Sequence, residues 1–231
     1  MNHNQQFSGC TISSYDCKCF DLLSPEERKL IDDNSVQISY KKGEMICKQG
    51  GFVSQIMYVE QGLAKVFIEN GSNSLLLRIT PDGSFIGLSA VSDEFTTFPY
   101  SARVYVDTVI RQIDVSTFRK ILDNNNNFAR EIINILSANS VQIYGRFFCL
   151  THKQAYGRLA DIILCLSQRI FKKEKFELPL SRKDIAELSG MSSETVVRLL
   201  KKFNEDGLIR MNGKNIEVVN VEKLQRISET G

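Results

Sequence analysis

The chain contains 231 residues, of which 42% are hydrophobic and 24% are charged, and its 29 basic side chains nearly balance 27 acidic ones. This composition excludes a mainly disordered chain, because the apolar fraction is high and the net charge is only +2. The sequence has no apolar run near the roughly 18 residues of a membrane span, and its start lacks a signal-peptide pattern. We therefore expect a cytoplasmic protein with no membrane partner and with six reduced cysteines.

Glycine marks the first half of the chain as β-rich. Seven of the 14 glycines lie between Gly43 and Gly87, and most are about 8 to 12 residues apart, as in a meandering β domain. The intervening segments alternate in polarity or are rich in β-branched and aromatic residues, which predicts six strands: 36–40, 56–60, 64–68, 74–79, 101–106 and 108–114. Such short strands predict an all-β sandwich or rolled barrel over residues 30–115.

After Val115 the apolar residues follow a helical period. Ser116 is predicted to cap a short helix that ends at Leu122. A helix of about six turns follows, and its apolar residues fall on one stripe: Phe128, Ile132, Ile135, Leu136, Ile143, Phe147 and Leu150. The stripe fits a helix packed on its own β domain or a parallel dimer helix, and its length favours the dimer.

Residues 153–231 are rich in helical patterns and carry 15 basic against 11 acidic side chains. The patterns predict helices at 154–171, 182–189 and 192–205, then a hairpin of strands 208–211 and 215–219, and a short helix from Val221. The basic excess is modest, but it lies in the half of the chain where a nucleic-acid site is expected.

Segment 182–203 has the spacing of two helices joined by a tight turn. Ala186 is small where the helices cross, Gly190 supplies a left-handed turn, and Ser192 caps the second helix. Six side chains are then available to an outside surface: Ser193, Glu194, Val197, Arg198, Lys201 and Lys202. The hairpin beyond them is predicted to be a wing on which Arg210 and Lys214 meet phosphates.

This surface has two interpretations. Glu194 and Arg198 are spaced for a surface salt bridge, and the lysines are then a solvated face. In a DNA major groove, Arg198 instead donates two hydrogen bonds to guanine and Glu194 accepts one from cytosine, while the lysines hold phosphates. The capped start, the glycine turn and the wing occur together, which favours the DNA interface.

The order of these parts resembles the Crp/Fnr family, which includes cyclic-AMP receptor proteins and fumarate–nitrate regulators. Five motifs carry the resemblance: Lys42-Gly-Glu-Met-Ile-Cys-Lys-Gln-Gly50, Tyr58-Val-Glu-Gln-Gly-Leu-Ala-Lys-Val66, Asp82-Gly-Ser-Phe-Ile-Gly87, Tyr156-Gly-Arg-Leu-Ala160 and Ser193-Glu-Thr-Val-Val-Arg198. The resemblance implies an α+β fold with an N-terminal double-stranded β-helix (jelly-roll, cyclic-nucleotide-binding-like) domain. The implied domains are a tail (1–21), this β-roll sensor (22–125), a dimerisation helix (126–151) and a winged helix-turn-helix domain (152–231).

The same resemblance implies a homodimeric transcription regulator that binds double-stranded DNA at a palindromic operator. It also implies RNA polymerase as a partner and an effector, of unknown identity, in the β-roll. Glu194 and Arg198 are the implied base readers. Ser193 stands where the cyclic-AMP receptors carry an arginine, which favours half-sites with a TGA core. A β-roll receptor that acts through protein–protein contacts is an alternative of another class.

The effector region departs from the cyclic-AMP receptors. Those receptors hold the ribose with a glutamate and the cyclic phosphate with an arginine–serine pair, where this chain has Leu88 and Tyr100-Ser101. A buried cyclic phosphate without a cation is poorly compensated, so cyclic AMP is not expected to bind in the usual way. The aromatic loop fits an apolar effector or a loop packed shut. The candidate effector-pocket residues are Ile86, Gly87, Leu88, Tyr100, Ser101, Ile143 and Tyr144.

An iron–sulfur cluster sensing redox state or nitric oxide is a variant of the same regulator. Fumarate–nitrate regulators carry three of their four cluster ligands near the N-terminus, where this chain has Cys10, Cys17 and Cys19. The spacing differs, and the fourth ligand would fall near Arg111. Unligated thiols are therefore expected, with no cofactor.

An enzyme is not expected. The only two histidines, His3 and His152, lie outside every predicted strand, which argues against a metal-dependent β-barrel enzyme and against haem. The sequence has no glycine-rich nucleotide loop, nucleophile elbow or zinc-protease motif. It therefore predicts no catalytic residue and no metal ligand.

Overall fold

A computed structural model describes residues 18–231, apart from Ser72 and the side chain of Asn73. The chain divides into two compact units, and the boundary falls between Ala138 and Asn139, inside one long helix. Residues 18–138 are called the N-terminal unit below, and residues 139–231 are called the C-terminal unit.

The N-terminal unit is a β domain with helices at both ends. Its elements in chain order are helix α1 (Pro25–Asp33), strands β1 (Ser35–Tyr40), β2 (Met45–Cys47), β3 (Gln55–Gln61), β4 (Leu63–Asn70), β5 (Asn73–Pro81), β6 (Ser84–Ile86), β7 (Ser101–Val104) and β8 (Thr108–Asp114), helix α2 (Val115–Asn124) and the first part of helix α3 (Asn126–His152). The strands form two antiparallel four-stranded sheets, in the orders β1-β8-β3-β6 and β2-β7-β4-β5. Strands β2 and β6 were not predicted, because three residues are too few to show alternation.

Two clusters of buried apolar side chains hold this unit together. One contains residues from both sheets: Met57, Val59, Val66, Ala102, Val104 and Ile110. The other packs α1, α2 and α3 against β3, β6 and β8 through Ile31, Ile56, Phe85, Ile113, Phe118, Phe128 and Ile132. Each fully buried side chain of this size stabilises the fold by roughly 1.5–3 kcal/mol, so the sheets and helices form one packed domain.

Helix α1 lies partly inside the span predicted as all-β, and that part of the prediction is wrong. The Ser24 hydroxyl accepts a hydrogen bond from the Glu27 backbone nitrogen at 3.2 Å, and the Glu27 carboxylate accepts one from the Ser24 nitrogen at 2.8 Å. This reciprocal cap precedes Pro25, a favourable first helical residue. Only Ile31 of the helix is buried, so its apolar pattern is weak.

Helix boundaries also differ from the prediction. Asp114 caps α2 in place of Ser116, because its carboxylate accepts a hydrogen bond from the Thr117 nitrogen at 2.9 Å. The helix predicted at 154–171 ends at Cys165 and continues as one turn of π-helix, Leu166–Ile170.

Helix α3 confirms the predicted long helix, but its apolar residues do not share one environment. In the N-terminal unit, Phe128, Ile132 and Ile135 are buried in the core. In the C-terminal unit, Ile143 and Phe147 are 66% and 69% exposed. One end of the stripe therefore packs on the β domain, and the other end is open to solvent. The exposed apolar set of α3 in the C-terminal unit contains five side chains, most of them at steps of three and four residues: Val141, Ile143, Tyr144, Phe147 and Phe148.

The C-terminal unit continues from the end of α3. Its further elements are helix α4 (Ala155–Cys165), strand β9 (Lys175–Glu177), helices α5 (Arg182–Ser189) and α6 (Ser193–Glu205), strands β10 (Ile209–Asn212) and β11 (Asn215–Val218) and helix α7 (Val221–Thr230). The strands form one antiparallel sheet in the order β10-β11-β9. Among the described residues, no helix combines the length and apolar character of a membrane span.

Candidate DNA interface and effector region

Helices α5 and α6 form the predicted helix-turn-helix. Ser181 starts α5 with a reciprocal cap, in which its hydroxyl accepts from the Asp184 nitrogen at 3.1 Å and the Asp184 carboxylate accepts from the Ser181 nitrogen at 2.9 Å. Gly190 ends α5 in the left-handed conformation, with φ of +60°. Ser192 starts α6 by accepting a hydrogen bond from the Thr195 nitrogen at 3.2 Å. The roles predicted for Gly190 and Ser192 are confirmed.

The C-terminal end of α3 packs against this turn. Arg146, which is only 8% exposed, donates a hydrogen bond to the Leu188 carbonyl at 3.3 Å. A Cβ atom added to Gly190 would lie 3.2 Å from the Leu150 side chain. Burial lowers the pKa of Arg146 to about 10, so its guanidinium stays charged at neutral pH. The end of α3 and the helix-turn-helix are thus joined by direct contact.

Helix α6 has one buried and one exposed face. The buried side chains are Val196, Leu199, Leu200 and Phe203. The exposed ones are Glu194, Val197, Arg198, Lys201 and Lys202, and Ser193 is half-buried. The structure therefore brings all six predicted residues onto one helix, with five on its exposed side.

The exposed charges of α6 have different partners. Hydrogen bonds from its own backbone N–H and from the Ser192 hydroxyl hold the pKa of Glu194 below its usual value, so this carboxylate is ionised at neutral pH. The Lys201 ammonium nitrogen lies 3.7 Å from a carboxylate oxygen of Glu205. Of the ion pairs between described residues, none joins Glu194 to Arg198. Both remain exposed without forming the salt bridge of the alternative interpretation.

Lys202 lies against an aromatic ring that the sequence analysis missed. Its ammonium is 5.3 Å from the centroid of the Tyr156 ring, a distance typical of a cation–π contact. The Tyr156 hydroxyl donates to the Asp206 carboxylate at 2.7 Å. Burial, and secondarily this carboxylate, raises the pKa of Tyr156. Tyr156 is far from Lys202 in the sequence, so no spacing pattern reveals this contact.

The predicted wing is the hairpin of β10 and β11. Gly213 supplies its turn with φ of +60°, and Lys214 next to it is exposed. Arg210 is 2.9 Å from Glu217 on the opposite strand, and the two form an ion pair. The assignment of Arg210 and Lys214 to phosphates stays a prediction, and the sequence analysis missed the partner of Arg210.

In the N-terminal unit, three of the seven predicted effector residues lie at the end of β6 and directly after it. Ile86 and Leu88 are buried, and Gly87 between them has φ of +92°. The Gly87 backbone nitrogen donates a hydrogen bond to the Tyr100 hydroxyl at 2.9 Å. Tyr100 thus satisfies this amide from within the protein.

Ser101 is fully buried and already has polar partners. Its hydroxyl accepts a hydrogen bond from the Gln49 nitrogen at 3.0 Å and lies 3.4 Å from the Glu69 carboxylate. A carboxylate at this distance repels an anion that approaches the serine. Tyr100 and Ser101 therefore bring two hydroxyl groups and a neighbouring carboxylate to the loop after β6, and no positive charge.

Ile143 and Tyr144 are also candidate effector residues, but they belong to the C-terminal unit. Helix α3 carries both, and their side chains are 66% and 68% exposed. Their assignment to an effector pocket stays a prediction.

The described residues do not fit an iron–sulfur cluster. Cys10 and Cys17 lie outside the described residues, and the Cys19 side chain is fully buried in the hydrophobic core. Arg111, at the position expected for a fourth ligand, forms ion pairs of 2.7 Å with both Asp32 and Glu60. Within 18–71 and 73–231, no three Cys, His, Asp or Glu side chains are grouped to hold a metal ion.

Comparison with known proteins agrees with this architecture. The Crp-like helix-turn-helix domain matches residues 157–227, and the cyclic nucleotide-binding domain matches residues 37–125. The chain is 26% identical to the transcriptional activator protein Anr of Pseudomonas aeruginosa over 184 residues, which cover 78% of this chain and 75% of Anr. It is 24% identical over 234 residues to the fumarate and nitrate reduction regulatory protein of Escherichia coli K12, with 96% and 93% of the two chains covered.

The fold is also found among solved structures. FixK2 from Bradyrhizobium japonicum matches with a TM-score of 0.78 and 21% identity, covering 85% of this chain and 98% of FixK2. The predicted fold class, a β-rich N-terminal domain followed by a long helix and a winged helix-turn-helix, is thereby confirmed. With the two matching domains in this order and relatives along most of its length, the chain belongs to the Crp/Fnr family of DNA-binding transcription regulators.

Proposed function

We propose that the protein is a cytoplasmic homodimer that binds a palindromic operator with helix α6 of each copy in a major groove. One observation carries this proposal. Glu194 and Arg198 are exposed one turn apart on α6, opposite its buried face, and no described ion pair joins them. A pair of accessible charges on a capped and rigidly packed helix is suited to reading base edges.

Four residues in the first two turns of α6 are proposed to read the sequence. Arg198 donates two hydrogen bonds to a guanine, and ionised Glu194 accepts one from a cytosine amino group. Val197, which is 53% exposed, contacts a thymine methyl group, and Ser193 donates to a base or phosphate. These contacts suit half-sites with a TGA core.

Four basic residues are proposed to hold the DNA backbone. Lys201 and Lys202 lie at the C-terminal half of α6, while Arg210 and Lys214 lie on the wing. Such contacts fix the register of the protein on DNA and make its affinity salt-dependent, without reading bases.

Homodimer formation is supported by the exposed apolar set of α3 in the C-terminal unit, which contains Val141, Ile143, Tyr144, Phe147 and Phe148. Four of these are more than half exposed, and Phe148 is 38% exposed. Leaving several large apolar side chains of one helix in water is unfavourable, whereas a second copy of the same helix buries them in a symmetric contact. RNA polymerase is a further proposed partner, since relatives of this chain are transcriptional activators.

The β-roll is proposed to bind the effector through Ile86, Gly87, Leu88, Tyr100 and Ser101. The buried apolar residues and the neutral Tyr100 suit a neutral or apolar ligand better than a cyclic phosphate. An effector acts by binding one of two conformations of the dimer more tightly than the other.

The decisive experiment is Arg198→Ala, measured by fluorescence anisotropy on a duplex with two TGA half-sites and on a scrambled duplex. We expect operator binding to weaken by at least tenfold, since a bidentate contact to a base is worth about 1–3 kcal/mol per half-site. Binding to the scrambled duplex should change little.

The matched control is Arg226→Ala, which removes the same charge from exposed Arg226 on α7. It should leave the preference for the operator intact. Equal operator binding by both variants would refute the assignment of Arg198 as a base reader.

A further inference from the structure

A groove of about 420 Å³ lies on the wing sheet. It is lined by Lys175, Arg210, Asn212, Asn215, Ile216 and Glu217. The strands pair in register, so that Arg210 is opposite Glu217 and Glu217 is opposite Lys175. Residues directly opposite on neighbouring strands point to the same face. A row of positive, negative and positive side chains therefore crosses all three strands.

The charges in this row are accessible to solvent. The side chains of Arg210 and Glu217 are 70% and 36% exposed, and the two are 2.9 Å apart. An exposed ion pair of this kind contributes no more than about 1 kcal/mol. Another anion that accepts a charge-assisted hydrogen bond from Arg210 can therefore replace Glu217.

The remaining lining suits a phosphate ester. Lys175 adds a second cation, and the side-chain amides of Asn212 and Asn215, which are opposite each other at the hairpin turn, add donors. Arginine, lysine and amide donors are the usual contacts to a phosphodiester backbone. Only the Glu217 carboxylate opposes an anion among the residues that line the groove.

We infer that this wing groove is a binding site for the phosphodiester backbone, with Lys175 as an additional contact and Glu217 as a built-in competitor for Arg210. In the absence of DNA, Glu217 holds Arg210. On DNA, a phosphate replaces Glu217 at Arg210. Displacing Glu217 costs part of the affinity for DNA that Arg210 and Lys175 would otherwise supply. Glu217 thus limits sequence-independent binding. The inference rests on the proposed function in one respect, namely that the wing faces the DNA backbone.

The test uses Glu217→Gln, which keeps the size of the side chain and removes its charge. Binding to a scrambled duplex is measured by anisotropy over a series of salt concentrations. The control is Glu177→Gln, because Glu177 is an exposed acid on the same sheet, pairs with Asn215 in register and does not line the groove. We expect E217Q to bind about fivefold tighter than E177Q at low salt, with a log–log salt slope steeper by about one unit.

Two double variants identify the groups involved. The gain should disappear in Arg210→Ala/Glu217→Gln and should shrink in Lys175→Gln/Glu217→Gln, with thermal unfolding confirming that each variant is folded. Equal binding by E217Q and E177Q, or a gain that survives the loss of Arg210, would overturn the inference. Because the scrambled duplex contains no half-site, this result is independent of the Arg198 test of base reading.

Discussion

The Tyr100 hydroxyl oxygen lies 2.9 Å from the Gly87 backbone nitrogen and accepts its hydrogen bond. This contact connects the residue before β7 with the loop after β6, where Gly87 has a left-handed φ of +92°. A Cβ atom on Gly87 would approach the Gln55 carbonyl to 3.3 Å and the Phe98 ring to 3.4 Å. The loop is therefore shaped by glycine and fastened by the tyrosine, with its central amide already engaged.

Removing this hydroxyl should loosen the loop. We expect Tyr100→Phe to lower the free energy of unfolding by about 1 kcal/mol, the usual value for one hydrogen bond. Urea denaturation measures the loss. Ser39→Ala is the control, since it removes a hydroxyl from an exposed position of β1 in the same unit. A Y100F variant as stable as S39A would mean that the contact contributes nothing.

Cyclic AMP should not bind to the protein through this loop. The phosphate would have to displace Tyr100 from Gly87 and approach Ser101, whose hydroxyl is 3.4 Å from the Glu69 carboxylate. No cation of the arginine type stands at position 100 to offset that cost. Isothermal titration at millimolar nucleotide should show no saturable heat. A one-to-one binding curve that Tyr100→Phe weakens would contradict this expectation.

Placing a charge on the exposed apolar set of α3 should separate the proposed dimer. Phe147 is 69% exposed, and Phe147→Glu puts like charges against each other across a symmetric contact. We expect analytical ultracentrifugation to show a monomer at concentrations where the unmodified protein is a dimer. Asn127→Glu, at an exposed position near the start of the same helix, should remain dimeric. An F147E dimer of unchanged affinity would place the dimer contact elsewhere.

Asp161 should be among the most sensitive positions of the C-terminal unit. It is 5% exposed, lies 2.7 Å from the Lys153 ammonium and also accepts a hydrogen bond from Ser228. Asp161→Ala leaves a buried ammonium without its partner, so we expect a loss of about 3–5 kcal/mol. Lys153→Met/Asp161→Leu should recover much of that loss in urea denaturation.

The control for Asp161→Ala is Glu205→Ala, which breaks the exposed Lys201–Glu205 pair. It should lower the free energy of unfolding by less than about 1 kcal/mol. If D161A costs no more than E205A, the buried pair has little influence on stability.

Protein purified without oxygen should contain no stoichiometric iron or acid-labile sulfide. The Cys19 thiol is in the core, and Arg111 is held by two carboxylates where a fourth ligand would be needed. Cys47 is also unsuited, because burial raises the pKa of its thiol to about 12 and so disfavours the thiolate that binds iron. Four irons per chain, lost after Cys10→Ser or Cys17→Ser, would reverse this conclusion and make the protein a cluster-dependent sensor.

The sequence predicts most of the architecture because its signals are local. Gly190, Ser192 and the period of α6 each act within a few residues, and the structure confirms them. The class of protein, a transcription regulator, follows from the same residues and is confirmed by the family. The capping box of Ser24 is equally local and was readable as well.

Contacts between distant residues are not readable in this way. The pairs Arg210–Glu217, Tyr156–Lys202 and Arg111 with its two acids depend on strand register and on helix packing. The split of the α3 apolar residues likewise depends on which elements cover each turn, since the periodicity alone is the same for a buried and an exposed residue. Tertiary neighbours, and not the pattern, decide these features.

The packing of Leu150 against Gly190 has a consequence for the helical phase of the regulator. Successive residues of an α-helix are rotated by about 100° around the helix axis. Only a few residues separate Phe147 from Leu150. The angle between the proposed dimer face and the turn before α6 is therefore set by residue count. One residue inserted between them would rotate the reading helices out of alignment with a palindrome.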